Sequence, residues 1–262
     1  MDNNLLGKNS ELVQKIKELK KHKKAKHFII EELFILGLLQ KYNKKIDILL
    51  YSEEDVYSDE AKEILHHLKQ NCHNIGKISH KTYESLSSKE NASGIMALYK
   101  DENKDLDILN SKPSFVLVLD QIELPGNLGT IIRTADACNI DMIILVDPVT
   151  KIENSKSIAS SRGMFLKIPT LTMSYEDAQR YLLENNYRIF LGEPILGKPH
   201  YETNYDGNIA LVVGNERYGI NPNWYENKNE KVFIPMWGEM TSLNVGVAAS
   251  ILMYEAKIKR NK

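Results

Sequence analysis

Three stretches of this chain join an apolar run to a short polar loop rich in amide, carboxylate and guanidinium groups. The first is Phe115–Asp120 (FVLVLD), followed by QIELPGNLG and TIIRTADAC. Pro125, Gly126 and Gly129 mark a tight loop there, and Arg133 is expected about one helical turn inside, on the side of Thr130 and Ala137, near the mouth of that loop. The second is Ile209–Val213 (IALVV), which ends in Gly214, Asn215, Glu216, Arg217, Tyr218 and Gly219. The third starts at Lys231–Ile234 and passes through a loop holding Ser242 and Asn244. It then enters a helix where Val245, Ala248, Ala249 and Met253 recur at helical spacing. Continuous apolar runs of this kind are buried parallel strands. Polar loops at the carboxyl ends of such strands, with backbone donors at helix starts, are where α/β sheets bind ligands. Asn127 is expected to cap the helix that follows it, and Ser242 and Asn244 are residue types favoured at a helix start. An arginine inside TIIRTADA is costly to bury unpaired, so Asp136 and Glu216 are its expected partners if its role is structural.

The elements that must position these loops alternate. Strands are expected at Phe115–Leu119, Met142–Val146, Arg188–Leu191, Ile209–Val213 and Lys231–Ile234. Helices are expected near Leu128–Cys138, Tyr175–Glu184 and Asn244–Lys257. The first hundred residues have their own pattern: helices at Ser10–Lys24, Phe28–Leu39, Glu60–Gln70 and Thr82–Ser87, with strands at Lys45–Tyr51, Gly76–Ser79 and Met96–Tyr99. Such alternation makes a small α/β sandwich. Asp101–Pro113 is polar and aperiodic and reads as a linker. The fold class is therefore α/β, in two domains: residues 1–100, a linker over 101–113, and residues 114–262.

The 262 residues fit one large or two modest domains, and 42% of them are apolar, enough for a real core. A net charge of −1 is uninformative, but Lys15, Lys17, Lys20, Lys21, Lys23, Lys24 and Lys26 crowd one stretch. Such a block is either a solvated helix face or a phosphate-contacting surface. Cys72 and Cys138 are too few for a secreted disulfide framework. No apolar run reaches membrane-spanning length, and MDNNLLGKNSELVQ lacks a signal-peptide centre. A cytoplasmic setting is expected. His22 and His27, or His66 and His67, do not make a zinc site, so no metal is expected.

NLGTIIRTADA, GNERYGI and IPMWGEMTSLNVGVAAS, in this order and separation, resemble the three motifs of the SpoU–TrmH branch of the SPOUT RNA methyltransferases. The resemblance covers roughly Ser114 to the C-terminus. A lone GNLG would suggest an RNA clamp or a dinucleotide loop, but no GxGxxG is present. KAKHFIIEE (Lys24–Glu32) and NASGIMALY (Asn91–Tyr99) are similar, more loosely, to an N-terminal substrate-binding domain of that family. The resemblance implies a parallel-sheet catalytic domain with a deep trefoil knot, against the usual avoidance of threaded loops. It also implies a homodimer with the helices near Leu128–Cys138 and Asn244–Lys257 at the interface. The same apolar helices could equally be internal.

The resemblance further implies methyl transfer from S-adenosyl-L-methionine to a ribose 2′-hydroxyl of RNA. Large-subunit (23S) rRNA is the first choice of substrate and tRNA the second. A non-catalytic RNA-binding protein of ribosome assembly is the alternative. Cofactor contacts are implied at Leu191, Gly192, Gly214, Asn215, Ile234, Met236, Ser242 and Leu243, and catalytic roles at Arg133, Asn127, Glu216, Ser242 and Asn244. Gly214 would let a ligand approach closely. RNA contacts fall on Lys20, Lys21, Lys23, Lys24, Lys26 and Arg217. Two positions depart from the family pattern. Arg217 stands where a small residue is common, and Gly246 stands where serine is common. Glycine inside a helix implies close packing.

Overall fold

The computed structural model describes residues 5–87, 92–101 and 105–260. Asn91, at the head of the NASGIMALY segment, and residues 102–104 of the expected linker lie outside the described residues. The elements run α1 (Glu11–Lys21), β1 (His27–Ile30), α2 (Leu33–Lys41), β2 (Ile46–Tyr51), α3 (Asp59–Gln70), β3 (Cys72–Lys77), α4 (His80–Leu86) and β4 (Ile95–Lys100). They continue with α5 (Asp105–Asn110), β5 (Phe115–Asp120), α6 (Pro125–Ala137), β6 (Met142–Val146), α7 (Ser155–Ser160), β7 (Thr170–Met173), α8 (Tyr175–Glu184) and β8 (Arg188–Glu193). The last are β9 (Lys198–Pro199), β10 (Ile209–Val213), β11 (Glu230–Phe233) and α9 (Val245–Arg260). Two compact units form, one from Met1–Glu102 with Glu153–Leu166, the other from Asn103–Ile152 with Lys167–Lys262.

The first unit is a mixed sheet in the order β1-β4-β2-β3, with β2 and β3 parallel and the other pairs antiparallel. Val13 and Ile16 of α1 and Tyr83 and Leu86 of α4 close over Ile48, Leu50, Met96 and Leu98. The expected helix over Phe28–Leu39 divides in two. His27–Ile30 alternates half-buried and buried positions as an edge strand against β4, and the helix starts only at Leu33. Lys26, in the left-handed region (φ 61°), turns the chain into that strand, and its N–H donates to Glu153 Oε1 at 2.6 Å. A return segment completes the unit: α7 packs on β1, and Phe165 stacks on Phe28 with ring centroids 4.6 Å apart.

Of the lysines expected at a phosphate surface, Lys20 turns inward, to the carboxylate of Glu31 and the carbonyl of Leu86. Glu31 is buried and also accepts from the Ser87 hydroxyl at 2.7 Å. Lys21, Lys23 and Lys24 are exposed and Lys26 is half-buried.

The second unit is a seven-stranded sheet in the order β7-β6-β5-β10-β8-β11-β9, parallel throughout. β5, β6 and β10 are buried along their whole length, as strands covered on both faces must be. Ala178 and Leu182 of α8, with Ile220 and Trp224, cover Val118, Ile144, Ile189 and Val212. α9 packs on β8 and β10 and on α6. Within the expected linker, Ile108 and Leu109 of α5 pack against this core, so apolar side chains order a segment whose composition reads as polar. The strand order sets the ends of β5, β10, β8 and β11 side by side, and the loops after them meet at one edge. Among the described residues no helix is long and apolar enough to cross a membrane.

Substituting Lys20 by Met leaves the buried Glu31 carboxylate less compensated, which costs about 2 kcal/mol. Urea unfolding of Lys20→Met and of Lys20→Met with Glu31→Gln measures this. The double variant should recover part of the loss, and an unchanged midpoint for the single variant would deny the pair a structural role.

Candidate active site

Glu216, in the loop after β10, gathers three donors. Its Oε2 accepts the N–H of Glu123 at 3.0 Å, and its Oε1 accepts the N–H of Leu124 at 3.0 Å and Nδ2 of Asn127 at 2.9 Å. Partial burial pushes this carboxyl up, but the donors of Glu123, Asn127 and Leu124 together hold it below the usual carboxylate range. Because Asn127 gives its NH₂ to a carboxylate, its oxygen faces the other way and accepts from Asn244 Nδ2 at 3.1 Å. Asn244 then has its own oxygen left for the N–H of Gly246 at 2.9 Å, in the first turn of α9. One ionised side chain thereby orients two amides, one in the first turn of α6 and one just before α9.

Asn127 does not cap α6. The helix begins at Pro125, whose missing N–H suits the first position, and the cap residue is Leu124, with no side-chain bond. Asn127 sits inside the first turn, where its amide is available to Glu216. Asn244, by contrast, does accept from the first turn of its helix. A Cβ on Gly246 would lie 3.1 Å from Asn244 Oδ1, so a side chain there would press on that amide.

A cavity of about 690 Å³ opens beside this network. Its walls include Gly192, Gly214, Asn215, Arg217, Ile234, Met236, Ser242 and Leu243, with Asn127, Glu216 and Asn244 at the rim. Its size suits a nucleoside-sized ligand. Gly214 is required by the chain itself: a Cβ there would sit 2.3 Å from the Gly219 carbonyl, so the reason expected for it, ligand approach, is secondary. Asn215 holds the turn, taking the N–H groups of Arg217 at 2.8 Å and Tyr218 at 3.1 Å and donating to the carbonyl of Gln121 at 2.9 Å. Beneath the turn, Asp120 is buried and accepts the N–H of Asn221 at 2.7 Å, and burial pushes its carboxyl up.

Leu191 is wholly buried in the sheet core, one residue below the cavity wall. Arg133 is on the expected face of α6 but does not line the cavity at the mouth of the loop. It is exposed, and neither expected partner takes it, since Asp136 pairs with Lys167 at 2.5 Å and Glu216 binds Asn127. Six residues along a helix turn it about 240° and carry it about 9 Å from Asn127, onto the outer face with Thr130 and Ala137. Arg217 is largely exposed on the rim, 3.9 Å from Glu123. The five lysines Lys20, Lys21, Lys23, Lys24 and Lys26 belong to the other unit. Glu193, Tyr225 and Leu252 are cavity walls that no motif singled out, although Glu193 lies in the 191–194 loop expected around the cofactor. A long separation hides the first two: the Tyr225 hydroxyl donates to Glu193 Oε1 across 32 residues.

A profile of the SpoU rRNA Methylase family matches residues 114–254. The chain is 34% identical over 142 residues to the 23S rRNA (guanosine(2553)-2'-O)-methyltransferase RlmP of Bacillus subtilis, a match spanning 54% of this chain and 57% of that relative. It is 30% identical over 193 residues to the 23S rRNA (guanosine-2'-O-)-methyltransferase RlmB of Acinetobacter baylyi, spanning 70% and 77%. A solved AdoMet-bound rRNA methyltransferase from Sinorhizobium meliloti superposes with a TM-score of 0.84 at 22% identity over 97% of both chains, a shared fold.

Since its folded pKa lies below the ordinary 4.5, Glu216 contributes stability that is complete above that value and lost as pH falls through the lower folded one. Urea midpoints of wild type and Glu216→Gln should therefore differ most at neutral pH and converge on acidification. A gap that does not narrow would show that the network does not depend on the charge.

Proposed function

Because the chain belongs to the SpoU rRNA methylase family, we propose that it transfers a methyl group from S-adenosyl-L-methionine to a ribose 2′-hydroxyl of large-subunit ribosomal RNA. The observation that carries this reading is the union of a nucleoside-sized cavity with the Glu216–Asn127–Asn244 network at one edge of a parallel sheet. The cofactor supplies an electrophilic methyl group. Backbone groups around Gly192, Gly214, Ile234, Met236 and Leu243 hold it against the apolar walls of Val213, Ile220 and Leu252. Ser242 and Asn244 frame the side where the ribose enters. The loops converge through the trefoil threading of the family, with β10 set between β5 and β8.

Glu216 is a positioning residue. Its oxygens already take three donors, and a carboxylate below its usual range is a weak base near neutral pH. Asn127, fixed by it, presents its amide at the rim. Arg133 offers only N–H donors and no acceptor, so it does not serve as a base. It grips the phosphate beside the target ribose and stabilises the developing alkoxide.

Arg133 reaches a cavity through a homodimer. Val247, Tyr254 and Ile258 form an exposed apolar stripe along α9, whose Ser250 hydroxyl bonds to Thr134 of α6 at 3.2 Å. Two copies joined over this face set the outward Arg133 of each beside the other's pocket. Arg217 adds a phosphate contact on the rim. Lys21, Lys23, Lys24 and Lys26 give the first unit an RNA-binding surface, with Lys20 bracing it from inside. The enzyme works in the cytoplasm, where its RNA is.

Purified protein, labelled S-adenosylmethionine and separate rRNA and tRNA pools from cells lacking the gene test the reading. Label should enter rRNA at an alkali-resistant dinucleotide. Entry into tRNA alone would reassign the substrate, and none in any pool without cofactor binding would favour a non-catalytic RNA-binding protein. Arg133→Ala should abolish transfer with cofactor affinity nearly intact. Tyr254→Lys should yield monomers by sedimentation and lose transfer with them; a dimer that persists would move the interface off α9.

A further inference from the structure

Glu193 is the last residue of β8, half-buried and on the cavity wall. The hydroxyl of Tyr225, another wall residue, donates to its Oε1, and no described residue takes its second oxygen. Burial, then the neighbouring Glu193, push the Tyr225 phenol well up, so it stays a donor. Lys231 Nζ lies 5.1 Å over the Tyr225 ring and steadies it. What the pair offers the cavity is a carboxylate oxygen, an acceptor without a proton to give.

Strand order decides which part of a ligand meets it. Asn127, Glu216 and Arg217 stand at the β5–β10 end of the cavity, while Glu193 and Tyr225 stand at the β8–β11 end. Arg217 suits the polyanionic RNA at the first end, where the Glu216 oxygens are already taken up by three donors, whereas the open oxygen of Glu193 would repel it at the second. The reacting sulfur must lie toward the RNA. A cofactor bound that way would have its adenine at the other end, beside Glu193. There its 6-amino group is the donor a lone acceptor would match.

Resting on the cofactor reading above, we propose that Glu193, braced by Tyr225, recognises the 6-amino group of the cofactor's adenine and sets the base specificity of the pocket. A 6-oxo purine would turn an oxygen lone pair toward the carboxylate and be rejected.

Calorimetric titration of the whole protein with S-adenosylhomocysteine and S-inosylhomocysteine tests this. Wild type should prefer the adenosyl ligand by about tenfold or more, the scale of one hydrogen bond to a charged group. Glu193→Gln, whose amide can turn a donor toward a 6-oxo group, should lose most of that preference by gaining the inosyl ligand, a gain misfolding cannot produce. Tyr225→Phe should narrow the preference. If Glu193→Gln weakens both ligands equally, the pair is only a tie between β8 and the Pro222–Tyr225 turn and the proposal falls. Wild type that binds both without preference overturns the proposal alone, and wild type that binds neither overturns the cofactor reading with it.

Discussion

The site depends on one carboxylate with three donors. Glu216 reaches from the end of β10 to the backbone of Glu123 and Leu124 and to the amide of Asn127, about ninety residues earlier in the chain. An ionised acceptor with three short donors is stable in a partly buried place where a neutral one would not be. Its charge decides which way Asn127 faces, and Asn127 decides which way Asn244 faces. The start of α9 therefore takes its orientation from the loop after β10, about thirty residues earlier in the chain. The carboxylate also sits beside the start of α6, where helix polarity favours negative charge.

That arrangement requires the strand order. β10 enters between β5 and β8, in register with Phe115–Leu119 on one side and Arg188–Leu191 on the other, so the loops ending them are neighbours although they are far apart in sequence. Buried apolar strands hold the frame. Gly214 keeps the 214–219 turn tight enough for Glu216 to point back at α6, since any side chain there would meet the Gly219 backbone. The cavity is what remains between a rigid sheet edge and three loops fastened to one another.

Much of this was legible in the residues. FVLVLD, MIILV and IALVV are strands buried on both faces, and their short length and β-branched content favour strand over buried helix. The three polar loops could be placed because each follows such a strand. Other features depend on contacts that no local pattern carries. Phe28–Ile30 has residues at home in either helix or strand, and the strand form wins because β4 and Phe165 are there to bury it. Asn127 looks like a cap until Pro125 claims the first helical position. Arg133 looks costly because its neighbours are apolar, yet its own face of α6 is open. Lys20 belongs to a lysine run but is claimed by the buried Glu31. In each case a partner distant in sequence chooses between locally equivalent options.

A crystal of the protein soaked with S-adenosylhomocysteine tests most directly whether this cavity is the cofactor site. The nucleoside should lie between the loops at 191–194, 214–220 and 234–243, with Glu216 still holding Asn127. Density for the ligand at any other place, or a cavity left empty at saturating ligand, would contradict that placement.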